Sequence, residues 1–105
     1  MAMSIEIVKL QKQKDSFSIW IDESQSFKSS EFKALLIPLN IKGEKIVHSS
    51  VGPAEYIEEI TTNEGVFCLS EEFDEWAGAT VYSNDTELMN KILNLMLNSN
   101  LYHVR

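Results

Sequence analysis

Apolar and polar residues alternate through much of the first half of the chain, and a two-residue period predicts strands. In Ile5-Glu6-Ile7-Val8-Lys9-Leu10, Ile5 and Ile7 share one side and Val8 and Leu10 the other, giving a first strand over 5–10. Phe17-Ser18-Ile19-Trp20-Ile21 is β-branched and aromatic, giving a second strand over 16–21. The lysine-rich Gln11 to Lys14 between them makes a turn, so the two form an N-terminal hairpin. Ser24 to Lys33 is polar, with room for a short helical turn from Ser29 or Ser30. Then Leu35, Ile37, Leu39 and Ile41 fall on one side and Leu36, Pro38 and Asn40 on the other, which predicts a strand over 34–41. Pro38 has no N–H for a ladder bond and places that strand at an edge or a bulge. Gly43 suits a tight turn back into a strand over 45–49. Two further strands are expected over 66–69 and 79–82.

Beyond that short turn, helical signals lie in the second half. Pro53 at a first helical position, Glu55 in the first turn and the stripe Tyr56, Ile57 and Ile60 predict a short helix near 53–61, with Gly65 to stop it. Ser70 as N-cap, acids behind it and Gly78 beyond predict another near 71–77. The clearest helix is the last, over 86–97: Asn84 and Glu87 are spaced as a capping box. Its residues Leu88, Met89, Ile92, Leu93, Leu95, Met96 and Leu97 sweep an apolar arc of about 200°. So wide an arc fits a helix sunk between a sheet and a covering loop, or one that also seals a homodimer. Strands grouped first and a helix last indicate an α+β fold, a mainly antiparallel sheet of five or six strands with short helices and a C-terminal amphipathic helix.

Composition leaves this picture intact. Residues 1–105 make one domain of ordinary globular content, 44% apolar and 10% aromatic. Cys68, the single cysteine, lies in the apolar run Val66 to Leu69 and reads as a small buried hydrophobe that forms no intrachain disulfide. No leader is evident and no apolar stretch approaches the ~18 residues of a membrane span. A soluble, cytoplasmic protein is expected, with no membrane partner.

Charge changes the picture more. The first 45 residues are nearly balanced, with seven lysines against six acids, while residues 46–90 hold ten carboxylates and no lysine or arginine. The net charge of −7 therefore arises in one segment. Such a field repels nucleic acid and steers basic proteins.

Candidate chemistry is sparse. Cys68, His48 and His103 are scattered without metal-ligand spacing, and no calcium loop, nucleophile elbow or phosphate-cradling glycine loop is present. Asp22 with Glu31 and Lys33 superficially matches the two carboxylates and lysine of a Mg²⁺ nuclease site, but an acidic second half would repel that enzyme's substrate. A small metal-dependent enzyme is thus the weakest reading, and no cofactor is expected.

What remains is a binding surface. Tyr56 sits among Glu55, Glu58 and Glu59, and Phe73 and Trp76 sit among Glu71, Glu72, Asp74 and Glu75. Tyr and Trp anchor interface hot spots, and carboxylates around them steer and pair with Lys and Arg. The same acids also serve simply as a solubilising surface, and Phe73 and Trp76, three apart, also fit a core. The expectation is a small acidic inhibitor that occludes the active site of a basic protein, in the general style of toxin-immunity proteins. The alternative is a dimeric structural or adaptor subunit assembled through the C-terminal helix.

Overall fold

The computed structural model describes residues 4–13, 16–22, 27–51, 54–72 and 78–105, with backbone alone at 12, 13, 50, 51, 54 and 72. In chain order the elements are β1 (Ile5–Gln13), β2 (Ser16–Ile21), α1 (Ser29–Leu35), a 3-10 turn (Ile37–Leu39), β3 (Ile41–Val51), β4 (Ala54–Thr62), β5 (Gly65–Glu72), β6 (Gly78–Tyr82), α2 (Thr86–Asn98) and β7 (Tyr102–Val104). The strands form one open sheet in the order β3-β4-β5-β6-β2-β1-β7, more strands than the sequence predicts. Every neighbouring pair is antiparallel except β1 and β7. This is an α+β fold with its longest helix near the C-terminus.

Alternation sorts the strand residues onto two faces. Ile5, Ile7, Ile19, Ile21, Ile60, Phe67, Leu69, Ala79 and Val81 are buried on one face, against Phe32 of α1, Leu36 just after it, and Leu88, Met89, Ile92 and Met96 of α2. Phe32 meets Phe67 edge-on, with ring centroids 6.2 Å apart. The wide apolar arc of α2 is largely consumed there, since Leu93, Leu95 and Leu97 are half-buried and pack against the same core. No helix among the described residues is long and apolar enough to cross a membrane.

Three segments depart from the sequence reading. Residues 34–41 are not a strand: α1 and the 3-10 turn bury Phe32, Leu36 and Leu39, while Ile37 is 75% exposed. The spacing 32, 36, 39 is helical, and it was hidden beneath the alternation of Leu35, Ile37 and Leu39. Pro38 is tolerated at the start of the 3-10 turn, and Asn40 ends it at φ 59°, a left-handed conformation that asparagine accepts readily. Gly43 then lies inside β3 rather than at a hairpin turn.

Residues 54–62 are a strand, not a helix. Local helix-start signals lose to pairing on both sides, with β3 and with β5, and the β-branched residues Ile57, Ile60, Thr61 and Thr62 suit that state. Gly65 does not end a helix but opens β5 at φ 146°, with Thr62 Oγ1 donating to its carbonyl at 2.9 Å.

The helix near 71–77 fails at its start, because Glu71 and Glu72 belong to β5; residues 73–77 lie outside the described residues. Gly78 is a strand residue, needed because the Trp20 indole nitrogen stands 2.8 Å from where a Cβ would sit. At α2 the N-cap is Asp85 rather than Asn84, its side chain accepting from the Leu88 amide at 3.1 Å.

Candidate protein-binding surface

The strand geometry of β4 divides the acidic segment between the two faces of the sheet. Tyr56 pairs with Glu71, Glu58 with Leu69 and Ile60 with Phe67, so Tyr56, Glu58 and Glu71 stand on the helix-bearing side. Glu55, Ile57 and Glu59 stand on the other side, opposite Glu72, Ser70 and Cys68. The residues named from sequence therefore do not converge on one surface. Asp74, Glu75 and Trp76, with Phe73, lie outside the described residues, and of Glu72 only the backbone is described.

Ion pairs reach acids on both sides, Glu6 of the open side pairing with Arg105 at 3.1 Å. On the helix side Lys33 of α1 reaches Glu58 at 2.7 Å and also contacts Glu44, and the Glu58 side chain is only 12% exposed. Burial works to lower the pKa of Lys33, but hydrogen bonding to Glu44 and Glu58 outweighs it and holds the ammonium above its ordinary value. Lys91 of α2 pairs with Glu64 at 2.7 Å, and Lys28 with Glu31 at 3.9 Å. Lys33 thus pairs with acids of β3 and β4, and Glu31 stands beside Lys28.

On the open side Glu55 has His48 at 4.0 Å, a cation only when protonated. Glu59 forms no ion pair among the described residues, although Lys45 is its cross-strand neighbour. Neither carboxylate is ion-paired with a lysine or arginine among the described residues.

The open side also carries residues that the linear acidic segment does not contain. β2 pairs with β6 so that Ser18 faces Tyr82 and Trp20 faces Thr80, and β6 pairs with β5 so that Tyr82 faces Cys68. Ser18, Tyr82 and Cys68 thus form a row across three strands. Trp20, Ile57, Cys68 and Tyr82 are half-buried, and no described helix covers them. Ser18 Oγ is buried with no hydrogen-bond partner. The signal was present in the alternation of Ser18 and Trp20 against Ile19 and Ile21, but the charge pattern pointed elsewhere.

Beside this row lies a cleft of about 460 Å³ lined by Ser16, Val66, Cys68, Tyr82, Ser83 and Asp85, among others. Desolvation pushes the Cys68 thiol above its ordinary range, opposed by a hydrogen bond with Tyr82 and aided by the nearby Glu59 charge. Desolvation likewise raises Tyr82, with Cys68 and Glu55 adding to it. A raised pKa disfavours the nucleophilic thiolate form of Cys68. No group of three or more metal-ligating side chains occurs among the described residues.

No protein-family model, curated protein or solved structure matches this chain.

Proposed function

We propose that the chain is a small acidic protein-binding inhibitor of the immunity type, which neutralises a basic, nuclease-like toxin by covering its active site or substrate-binding surface. One observation carries the reading: residues 46–90 hold ten carboxylates and no lysine or arginine. A nuclease binds phosphates with lysines and arginines, and carboxylates placed against those side chains compete without any chemistry of their own. Association would be fast and steeply salt-dependent, as for other oppositely charged protein pairs. The inhibitor would act in the cytoplasm, need no cofactor and bind neither nucleic acid nor membrane.

The test begins by cross-linking the protein in its source cells, identifying the protein captured, and purifying it. Stoichiometric addition of this chain should suppress that protein's activity on nucleic acid, and the association rate should fall steeply with added salt. An acidic partner, an uninhibited one, or binding indifferent to salt would refute the proposal.

A further inference from the structure

We propose that the helix-free face of the sheet, centred on Trp20, Tyr82 and Ile57, is the surface on which a basic protein docks; this rests on the functional reading above and gives it a location. An antiparallel sheet with one solvated face ordinarily presents polar residues there. Here that face presents Val8, Trp20, Ile57, Cys68 and Tyr82, all half-buried, with Val66 45% exposed, interleaved with Ser18, Ser70 and Thr80. Trp and Tyr are the side chains that anchor interfaces. Trp20 is also held in place, because its indole lies against Gly78 where a Cβ would intrude at 2.8 Å, and a pre-positioned anchor loses little entropy on binding.

Charge selects the occupant. Glu31, Glu44, Glu58 and Glu64 pair with Lys28, Lys33 and Lys91, and Glu6 on the open face pairs with Arg105, whereas Glu55 and Glu59 on the open face form no ion pair with a lysine or arginine among the described residues, Lys45 being the cross-strand neighbour of Glu59. They stand on β4 on either side of Ile57, and Glu59 shares a cross-strand row with Cys68 and Tyr82, so a cationic side chain can pair with them while apolar groups of the same partner meet Ile57 on β4 and Tyr82 on β6. A second copy of this chain carries the same net charge of −7 and is opposed by it. The molecule measures 36 × 33 × 28 Å, so one face spans on the order of 1,000 Å², enough for the ~800 Å² that each partner contributes to a standard interface.

The experiment titrates the ¹⁵N-labelled full chain with a synthetic peptide of alternating Arg and Trp, with an alternating Asp and Trp peptide as control. The Trp20 indole and the amides of Ile57, Cys68 and Tyr82 should shift with the Arg peptide alone. Glu55→Gln with Glu59→Gln should weaken binding at least about fivefold, while Glu58→Gln, buried under Lys33, changes it less than about twofold. Thermal melts confirm that each variant is folded. No binding at millimolar peptide, shifts on the α1 and α2 side, or equal sensitivity to Glu58→Gln would each overturn the proposal. So would a dimer in sedimentation that Trp20→Lys dissociates, because the occupant would then be a second copy. The two readings fail separately. If a basic target is inhibited but ignores Glu55 and Glu59, the surface is wrong; if the peptide maps here but the captured partner is acidic or uninhibited, the function is wrong.

Discussion

Replacing Lys33 by Met keeps most of the aliphatic stem on α1 and removes the ammonium that Glu58 and Glu44 share. Glu58, 12% exposed, is then left largely desolvated with no cation beside it. Breaking a fully buried pair from one side costs about 3–5 kcal/mol, while an exposed pair contributes about 0.2–1 kcal/mol. Glu58 lies nearer the first limit and Glu44, 42% exposed, nearer the second. With a discount for the partial exposure of Lys33, the expected loss is about 2 kcal/mol, a fall in Tm of about 10 °C for a chain of this size. Urea unfolding of the parent, Lys33→Met, Glu58→Gln and the double variant closes a cycle. The two substitutions should couple by about 1 kcal/mol or more, since the second removes the charge that the first strands. The pH dependence has a definite sign. A group whose pKa is raised on folding stabilises below its ordinary value of 10.5, and that contribution disappears as pH climbs through the higher folded value, so the parent and Lys33→Met should converge in stability there. Additivity within about 0.5 kcal/mol would show that Glu58 is not held by Lys33. The assignment of Glu58 to the fold rather than to binding would then fall.

Burial pushes the Tyr102 phenol up to about 12, so it should be the last tyrosine to ionise in a spectrophotometric titration. The folded state then holds a proton that the unfolded state releases near 10, and stability declines between these values by up to about 2–3 kcal/mol; phenol ionisation complete by pH 11 would contradict this burial. Cys68 should alkylate slowly at pH 8, and Glu59→Gln, by removing a nearby negative charge, should speed it; an unchanged or slower rate would place Glu59 away from the thiol. Leu93→Glu forces a charge against the core and should cost about 2 kcal/mol or more in chemical unfolding, and a folded monomer obtained from a dimeric parent would instead make α2 an assembly surface. Gly78→Ala should shift the Trp20 indole resonance and destabilise by about 1–3 kcal/mol as the ring is displaced; an unmoved resonance would mean that the close packing of Trp20 is not maintained in solution.

The sequence alone was enough for elements whose own residues carry an unambiguous period. β2, β6 and α2 fall within a residue of their expected bounds, because alternation or a long amphipathic arc admits a single way of burying the apolar side, while β1 begins as expected but runs on to Gln13, pairing residues expected in the turn with β2. The 34–41 segment satisfied two periods at once, and only the presence of Phe67 and α2 on one side decided that Phe32, Leu36 and Leu39 would be the buried set. In 54–62 the helix-start signals were real but local. They were overruled by hydrogen bonding to strands on both sides, whose proximity no local pattern encodes. The proposed binding surface divides in the same way. Net charge and its concentration in 46–90 are properties of the chain and were legible directly. Which acids remain available was not legible, because side chains of a strand alternate between faces and neighbouring Glu58 and Glu59 face opposite ways. Lys33 neutralises one of them from a helix distant in sequence, and Trp20, Cys68 and Tyr82 are drawn together only by the β2–β6–β5 pairing. Charge is additive along a sequence, but its availability depends on neighbours that only the folded sheet supplies.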